Sequence, residues 1–220
     1  MLMLRTLASL RYYVYMPSRN IYKNYVSNAY YHVYNRGVNK EPIFHETADF
    51  EYFMMLLERY VGAETKLQIN GKPHKNYYGR VELIAYCLMR NHFHFFLFQT
   101  DVKGMEELLS SLTVAYSMYF NKKYKRVGPV FQQRYKAVQI TDDAYFEHIS
   151  RYIHLNPRDW RRYEWSSLSE FLNRRETSWV QIHHVMGRFG SGPREYLQFV
   201  ADYEAAHNEL EALKGVLADR

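Results

Sequence analysis

Two adjacent runs of β-forming residues in the middle of the chain constrain the fold most. Residues 80–89 and 92–99 are both dominated by aliphatic and aromatic side chains, and only Arg90 and Asn91 separate them. Such runs, joined by a two-residue connection, are typical of an antiparallel β-hairpin. The sequence therefore predicts a hairpin at residues 80–99, around which the rest of a sheet must be placed.

The residues before the hairpin predict one strand, one helix and a loop. Residues 29–36 are rich in β-forming side chains and are followed by Gly37, which is typical of a strand that ends in a turn. From Thr47, which can cap a helix, apolar residues recur at spacings of three and four as far as Tyr60. Residues 62–79 contain three glycines and three lysines and are interpreted as a basic loop or flap.

The residues after the hairpin alternate between helix and strand patterns again. Residues 104–122 have the spacing of an amphipathic helix, and residues 130–140 are interpreted as a fourth strand. A further helix begins near Asp142 and must end at Asn156, because Pro157 cannot continue it. The order βαββαβ followed by a helix predicts an α+β fold with a ferredoxin-like antiparallel sheet.

The length of 220 residues fits one domain with small additions. We assign residues 28–172 to this domain and residues 173–220 to a C-terminal helical appendage, in which residues 193–215 have a helical pattern. Residues 1–27 carry basic and no acidic side chains and are interpreted as a basic N-terminal arm. A start codon assigned too far upstream explains this segment equally well, whereas the lack of a sustained amphipathic period argues against a targeting peptide.

Charge and cysteine content restrict the partners and the compartment. The formal net charge is +6 and the chain contains 22 tyrosines, which fits an anionic partner such as nucleic acid. The single cysteine, Cys87, lies in an apolar run, which excludes an internal disulfide and a cysteine-based zinc site. No stretch is long and apolar enough to span a membrane, so we expect a cytoplasmic protein.

His92 and His94 are the sharpest chemical feature of the sequence. On a strand, residues i and i+2 point to the same face, so the two imidazoles project together while Phe93 points to the other face. Two imidazoles at this spacing can hold one divalent metal ion. The same spacing also occurs where two histidines merely lie on a half-exposed strand, and the pair alone does not decide between these interpretations.

Tyr152 and Asn156 form a second pair, on the helix that follows the fourth strand. They are four residues apart and therefore lie on one face of the helix, one turn from each other. Alone, the pair has an ordinary explanation, since both residue types are common near helix ends. A phenol is a poor nucleophile at neutral pH unless a metal ion or a base assists it. A metal ion held by His92 and His94, with Asn156 as third ligand, would leave positions for a phosphodiester beside the phenol.

Five blocks of residues together carry a resemblance to a known family: Tyr31–Gly37 (YHVYNRG), Ile43-Phe44, Ala85–His94 (AYCLMRNHFH), Gly128–Tyr135 (GPVFQQRY) and Tyr152–Pro157 (YIHLNP). In this order they resemble the single-tyrosine HUH transposases, specifically the branch of REP-associated tyrosine transposases. The resemblance covers about residues 29–172.

The resemblance implies a role for each residue of the two pairs. His92 and His94 would be metal ligands, Tyr152 the nucleophile and Asn156 the partner on the metal side. Members of this family cut single-stranded DNA next to a hairpin, form a 5′-phosphotyrosine bond and release a 3′-hydroxyl that can later rejoin strands. The metal ion expected in such a site is Mg²⁺ or Mn²⁺.

Basic and amide side chains near these blocks are candidate contacts to single-stranded or hairpin DNA. The candidates are Arg36, Lys122, Lys123, Arg126, Gln133, Arg134 and Arg158. A solvated basic face explains any one of them equally well, and only the group favours DNA.

Two other functions stay open at this point. The chain can be a hairpin-binding protein that no longer cleaves DNA, or a hydrolase in which His92 and His94 activate a water molecule. Tyr145 is a rival nucleophile, but its neighbour one turn later is Ile149, which cannot ligate a metal ion. The sequence does not decide between a monomer and a homodimer.

Overall fold

Four strands form one antiparallel sheet in the computed structural model, which describes residues 25–63, 68–69, 72–73, 75–190 and 192–204. The strands of the chain are β1 (Ala29–Arg36), β2 (Gln68–Ile69), β3 (Lys72–Pro73), β4 (Val81–Met89), β5 (His92–Gln99) and β6 (Lys136–Ile140). The sheet has the order β4-β5-β1-β6, while β2 and β3 pair only with each other. All neighbours in the sheet are antiparallel, which confirms the predicted ferredoxin-like arrangement.

The helices lie on the two faces of this sheet. They are α1 (Thr47–Val61), α2 (Gly104–Tyr124), α3 (Asp143–His154), α4 (Leu168–Phe171), α5 (His183–Met186) and α6 (residues 193–204), with a 3-10 turn at Val38–Lys40. Helices α1 and α2 pack against one face through a core that includes Phe53, Leu109 and Tyr116. Helix α3 and the residues after it cover the other face, in a second core that includes Phe96 and Ile153.

The alternation along β5 assigns each side chain to one of these cores. Phe93 and Phe95 are buried on the α1 and α2 side, whereas Phe96 belongs to the core on the α3 side. His92 and His94 therefore point toward α3, as the spacing of two predicted. The site discussed below lies on this face of the sheet.

The residues after α3 cover the exposed edge of the sheet. Strand β4 is an edge strand, and Leu88 N donates to Trp165 O at 2.8 Å while Ser167 N donates to Tyr86 O at 3.0 Å. Further along, Gln181 N donates to Leu83 O at 2.8 Å. Such contacts satisfy edge groups that would otherwise pair with another chain. The described residues after 172 thus pack on the sheet, whereas 205–220 lie outside the described residues, as do 1–24 of the predicted arm.

Several predicted boundaries were wrong by a few residues. The fourth strand begins at Lys136 rather than at 130, because the polar residues 132–134 form an exposed turn. Before this turn, Phe131 forms an isolated bridge to Gly37. Arg134 therefore lies on that turn and not on a strand. Helix α3 ends at His154, two residues before Asn156. The segment interpreted as a loop at 62–79 contains the short β2–β3 pair.

The first turn of α1 also differs from the prediction. Glu46, not Thr47, precedes the helix as its N-cap. The carboxylate of Asp49 accepts the backbone N–H groups of His45 at 2.8 Å and of Glu46 at 3.3 Å. The Glu46 side chain in turn accepts the backbone N–H of Asp49, so the two residues form a capping box and Glu46 has the role that had been expected of Thr47.

Candidate catalytic cleft

A polar cleft of about 410 Å³ opens between the sheet and the end of α3. It is lined by side chains of β1, β5, α3, the segment just after α3, the turn before β6 and the first residue of β6. These side chains are His32, Tyr34, Asn35, Arg36, His92, His94, Gln132, Gln133, Arg134, Lys136, Tyr152 and Asn156. The cleft thus brings together both predicted pairs, which are separated by about sixty residues in the sequence.

The two histidines of β5 lie side by side in this cleft. Their ring centroids are 5.0 Å apart and the rings are nearly perpendicular, at 85°. His94 is buried, whereas His92 is half-buried and lies nearer the opening. The pair therefore presents imidazole nitrogens from two directions to one region of the cleft.

Hydrogen bonds already occupy one nitrogen of each ring. His94 Nδ1 lies 2.9 Å from His32 Nε2 on the neighbouring strand β1, and His92 Nδ1 lies 2.6 Å from Asn91 Oδ1. When Nδ1 of each ring acts as the donor, the lone pair is on Nε2. This is the arrangement in which a second hydrogen bond fixes the orientation of a metal-binding imidazole.

Burial keeps these imidazoles neutral. It lowers the pKa of His32 to about 4 and holds the pKa of His94 well below its usual range. For His92, burial is the largest cause of a lowered pKa. The positive charge of Arg36 lowers the pKa further, and a side-chain hydrogen bond with Asn156 raises it. Neutral imidazole is the form that ligates metal ions, so the three rings are in the ligand-competent state near neutral pH.

Asn156 is held just beyond the end of α3. Its Nδ2 donates to the backbone carbonyl of Tyr152 at 2.9 Å, which is one helical turn earlier. Because the amide nitrogen is engaged there, Oδ1 is the amide atom left to act as a ligand, and the side chain lies within hydrogen-bond reach of His92. An amide oxygen in this position is a suitable ligand beside two imidazoles.

Tyr152 lies in the same cleft, on the last turns of α3. Its ring stands edge-on to His32 at 5.7 Å and to His94 at 5.8 Å between centroids. Helix α3 is anchored at its start by Asp142, whose Oδ1 accepts the backbone N–H of Tyr145 at 3.0 Å. The phenol therefore lies beside the two imidazoles in the cleft.

The residues present fit a divalent cation. Nε2 of His92, Nε2 of His94 and Oδ1 of Asn156 form a set of two nitrogen donors and one oxygen donor that leaves further positions for phosphate oxygens. None of the described residues that line the cleft is acidic. The positive charge of a bound cation would thus attract phosphate rather than be neutralised by carboxylates of the protein.

Positive side chains surround the same cleft. Arg36, Arg134 and Lys136 line it, and the Lys136 ammonium lies 5.4 Å from the ring centroid of Tyr34. The Tyr34 ring in turn stacks on His94, with centroids 5.6 Å apart. Sequence analysis did not single out Tyr34 or Lys136 as site residues, although the alternation of β1 places Tyr34 on the same face as His32.

The predicted DNA contacts are distributed unevenly. Arg36, Gln133 and Arg134 lie in the cleft, whereas the other four do not line it: Lys122, Lys123, Arg126 and Arg158. A larger groove of about 620 Å³ runs from Gln133 and Arg134 along α2. The cleft and this groove share three lining residues, so the two form a continuous depression.

Lys123 differs from the other basic candidates. Its ammonium lies 2.6 Å from Glu46 Oε1 and 2.6 Å from Asp49 Oδ1, and Asp49 is fully buried. Its charge is therefore balanced inside the fold, between α1 and α2. Arg126 lies 3.5 Å from Glu41 and the exposed Arg134 lies 3.7 Å from Glu106, whereas Lys122 and Arg158 are exposed.

The rival side chains have other surroundings. Burial raises the pKa of Tyr145 to about 12, with further contributions from Tyr152 and Tyr34, so its phenol is harder to ionise than an exposed one. His154 is fully buried, with Nδ1 2.7 Å from Tyr196 Oη and Nε2 2.8 Å from Ser167 Oγ. It holds α3 against the residues after it.

Comparisons with known proteins address the family. A family model described as "Transposase IS200 like" matches residues 25–156, which is more than half of the chain and includes both pairs. Among solved structures, that of a REP-associated tyrosine transposase bound to a REP hairpin aligns with a TM-score of 0.48 and 15% identity, over 76% of this chain and 92% of that chain. No curated protein sequence matches significantly. Within the described residues, no helix is long and apolar enough to cross a membrane.

Proposed function

The chain belongs to the family of IS200-like transposases, and from this premise we propose that it nicks and rejoins single-stranded DNA beside hairpins through a covalent bond to Tyr152. The observation that carries the proposal is the meeting of Tyr152, His92, His94 and Asn156 in one positively lined cleft. The family supports transposase activity in general. The chemistry of the cut is what the resemblance to the single-tyrosine branch implies, and the residues that line the cleft support it.

The proposed reaction exchanges one phosphoester bond for another. The phenolic oxygen of Tyr152 attacks the scissile phosphorus in line with the 3′ oxygen, so a bond from tyrosine to phosphorus forms while the bond to the 3′ oxygen breaks. The phenol gives up its proton, and the departing 3′ oxygen takes one up. The products are a 5′-phosphotyrosine and a free 3′-hydroxyl, which can later attack the phosphotyrosine in the reverse sense and rejoin strands.

The protein side chains position the phosphate for this attack. Arg36, Arg134 and Lys136 line the cleft and can hold nonbridging oxygens or neighbouring phosphates of the strand. The larger groove along α2 can take the strand on one side of the cut, because it opens into the cleft at Gln133 and Arg134.

A divalent cation, Mg²⁺ or Mn²⁺, would be held by His92, His94 and Asn156. When bound, it supplies positive charge to the phosphoryl oxygens as charge develops on them. His32 keeps the His94 ring in place through the 2.9 Å contact, and Asn91 does the same for His92 at 2.6 Å. These two contacts orient both ligands before DNA arrives.

The test is formation of a protein–DNA adduct that survives SDS. Labelled single-stranded oligonucleotides covering both flanks of the gene, including any palindromes, are incubated with the protein and Mn²⁺ or Mg²⁺. The proposal predicts a metal-dependent adduct that is lost in Tyr152→Phe and in His92→Ala and retained in the matched control Tyr145→Phe.

Other outcomes would replace the proposal. Cleavage without an adduct that persists in Tyr152→Phe would indicate a water nucleophile. Binding of hairpin DNA with no cleavage of any flanking sequence would indicate a DNA-binding protein that has lost the reaction.

A further inference from the structure

A second cluster of metal-ligating side chains lies on the same face of the sheet, away from the catalytic cleft. It consists of Glu82 on β4 and of His183 and His184 on α5, and its candidate ligand atoms all lie within 4.8 Å of one another. Along β5, Phe98 next to this cluster is four residues from His94, which corresponds to about 13 Å. The cluster is thus separate from the cleft.

We propose that Glu82, His183 and His184 form a zinc site that fastens the C-terminal segment to the edge of the sheet. Two imidazoles and one carboxylate form a donor set that proteins use for Zn²⁺, with a fourth position left for water. The site is independent of the catalytic chemistry, since it shares no residue with the cleft.

His184 is oriented as a metal-binding histidine would be. Its Nε2 lies 2.5 Å from Glu82 Oε2, and its Nδ1 lies 2.9 Å from the hydroxyl of Tyr30. With Zn²⁺ on Nε2, the proton moves to Nδ1 and is donated to Tyr30, which keeps the ring in its present orientation. The His184 side chain is only 13% exposed and packs on Phe98, with ring centroids 5.4 Å apart.

His183 closes the site from the solvent side. It is exposed, and its ring centroid lies 4.4 Å from that of His184. Tetrahedral zinc with ligand bonds near 2.0–2.1 Å separates neighbouring ligand atoms by about 3.3 Å. The ligand atoms of the cluster lie within 4.8 Å of one another, so zinc binding requires His183 to move closer and Glu82 to move slightly away from His184.

The position of the cluster explains what bound zinc would do. Val180 pairs with Leu83 of β4 in a single parallel bridge, and Gln181 N donates to Leu83 O at 2.8 Å. A metal ion that joins β4 to α5 immediately beyond these contacts would hold the segment against the edge strand. Metal binding then stabilises the folded chain by an amount that grows with the logarithm of the ratio of free zinc concentration to Kd.

Zinc stoichiometry tests the proposal directly. Untagged full-length protein is dialysed against Zn²⁺, and bound metal is counted for wild type, Glu82→Gln, His183→Ala and the control His45→Ala, whose histidine is exposed and outside both clusters. We expect Glu82→Gln and His183→Ala each to bind about one zinc ion fewer than wild type, while His45→Ala binds the same number. A count that is equal in wild type and both cluster variants would overturn the site.

His92→Ala separates this result from the catalytic proposal. The double variant His92→Ala/His183→Ala should bind about one zinc ion fewer than His92→Ala alone, because the two clusters are distinct. If His92→Ala does not fold, the comparison of wild type with His183→Ala stands by itself.

A thermal-unfolding series gives a second readout. At a hundredfold excess over Kd, zinc should raise the Tm of wild type by about 5 °C or more and leave that of Glu82→Gln nearly unchanged. Tyr30→Phe keeps the packing of the ring and removes only the hydroxyl beside His184, so it should weaken zinc binding by about 10–100-fold. Equal Tm shifts in wild type and Glu82→Gln would show that zinc binds elsewhere.

Discussion

His32 Nε2 and His94 Nδ1 lie 2.9 Å apart across the neighbouring strands β1 and β5. Both rings are buried, and they stack with centroids 5.2 Å apart. His32 thus occupies the nitrogen of His94 that faces away from the proposed metal ion, and it does so from β1, the neighbour of β5 on that side. The interaction fixes the ring that would otherwise be free to rotate about its side-chain bonds.

Replacement of His32 by phenylalanine should therefore weaken metal binding. The rate of adduct formation at saturating metal should change less. We expect the Mn²⁺ concentration for half-maximal adduct formation to rise by about 10–100-fold, with recovery of the rate at high Mn²⁺. The measurement is a Mn²⁺ titration of adduct formation beside His45→Phe. An unchanged Mn²⁺ requirement would show that His32 does not position His94.

Substitution by alanine should affect DNA binding at Arg134 and folding stability at Lys123. The Arg134 side chain is 80% exposed at the junction of the cleft and the groove. Arg134→Ala should therefore weaken binding of all oligonucleotides. The salt dependence of the affinity should fall by an amount that corresponds to about one phosphate contact. Lys123→Ala should leave DNA affinity unchanged and lower the free energy of unfolding by about 1–3 kcal/mol, since it leaves buried Asp49 without its cation. Fluorescence anisotropy at several salt concentrations and urea unfolding measure the two effects. Weaker DNA binding by folded Lys123→Ala would contradict the assignment.

Arg151, the residue before Tyr152, should stabilise the catalytic helix against α6. Its guanidinium carbon lies 4.2 Å from the ring centroids of both Phe199 and Tyr203, and these contacts offset part of the burial cost that lowers its pKa to about 10. Loss of both cation–π contacts in Arg151→Ala should lower the free energy of unfolding by about 2–4 kcal/mol. Arg151→Lys should recover part of this loss. Urea unfolding checks both variants, and a loss no larger than that of exposed Arg158→Ala would contradict the prediction.

Stability should fall as the pH is lowered below about 6.5. Burial lowers the pKa of His32 to about 4 and of His154 to about 3, so both rings are neutral when folded but take up protons near pH 6.5 when unfolded. Their contribution is fully present above pH 6.5 and is lost progressively as the pH falls toward 4, by about 1.4 kcal/mol per pH unit for each group. Urea unfolding with a chelator at pH 8 to 4.5 measures this slope. A flat profile between pH 7.5 and 5 would contradict it.

Local patterns were sufficient to predict the sheet and to place the two members of each pair on one face, whereas the roles of the four residues came from the family resemblance and stay predictions. The alternation of β5 placed His92 and His94 together, and the spacing of four placed Asn156 over Tyr152. The sequence could not predict that the Asn156 amide nitrogen bonds to the Tyr152 carbonyl, which decides the direction of its oxygen. The fourth strand was predicted too long because its polar start forms a turn over the cleft.

Contacts between distant segments were beyond the reach of the sequence. Tyr34 and Lys136 join the cleft only because β1 and β6 are neighbours, a pairing that follows from the whole sheet. Glu82 and His184 are about a hundred residues apart, and no local pattern connects them. The packing of α6 on Arg151 likewise depends on tertiary structure, since the pattern of residues 193–215 predicts a helix but not its partner.

The central claim is that Tyr152 itself takes the 5′ phosphate, and peptide mapping of the adduct tests it most directly. Trypsin cuts after Lys136, Arg151 and Arg158, so the two candidate tyrosines fall on different peptides, Tyr145 within residues 137–151 and Tyr152 within residues 152–158. After nuclease trimming, the account predicts a nucleotide mass on the peptide 152–158 and none on 137–151. A nucleotide on the Tyr145 peptide, or cleaved DNA with a free 5′ phosphate and no modified peptide, would contradict it.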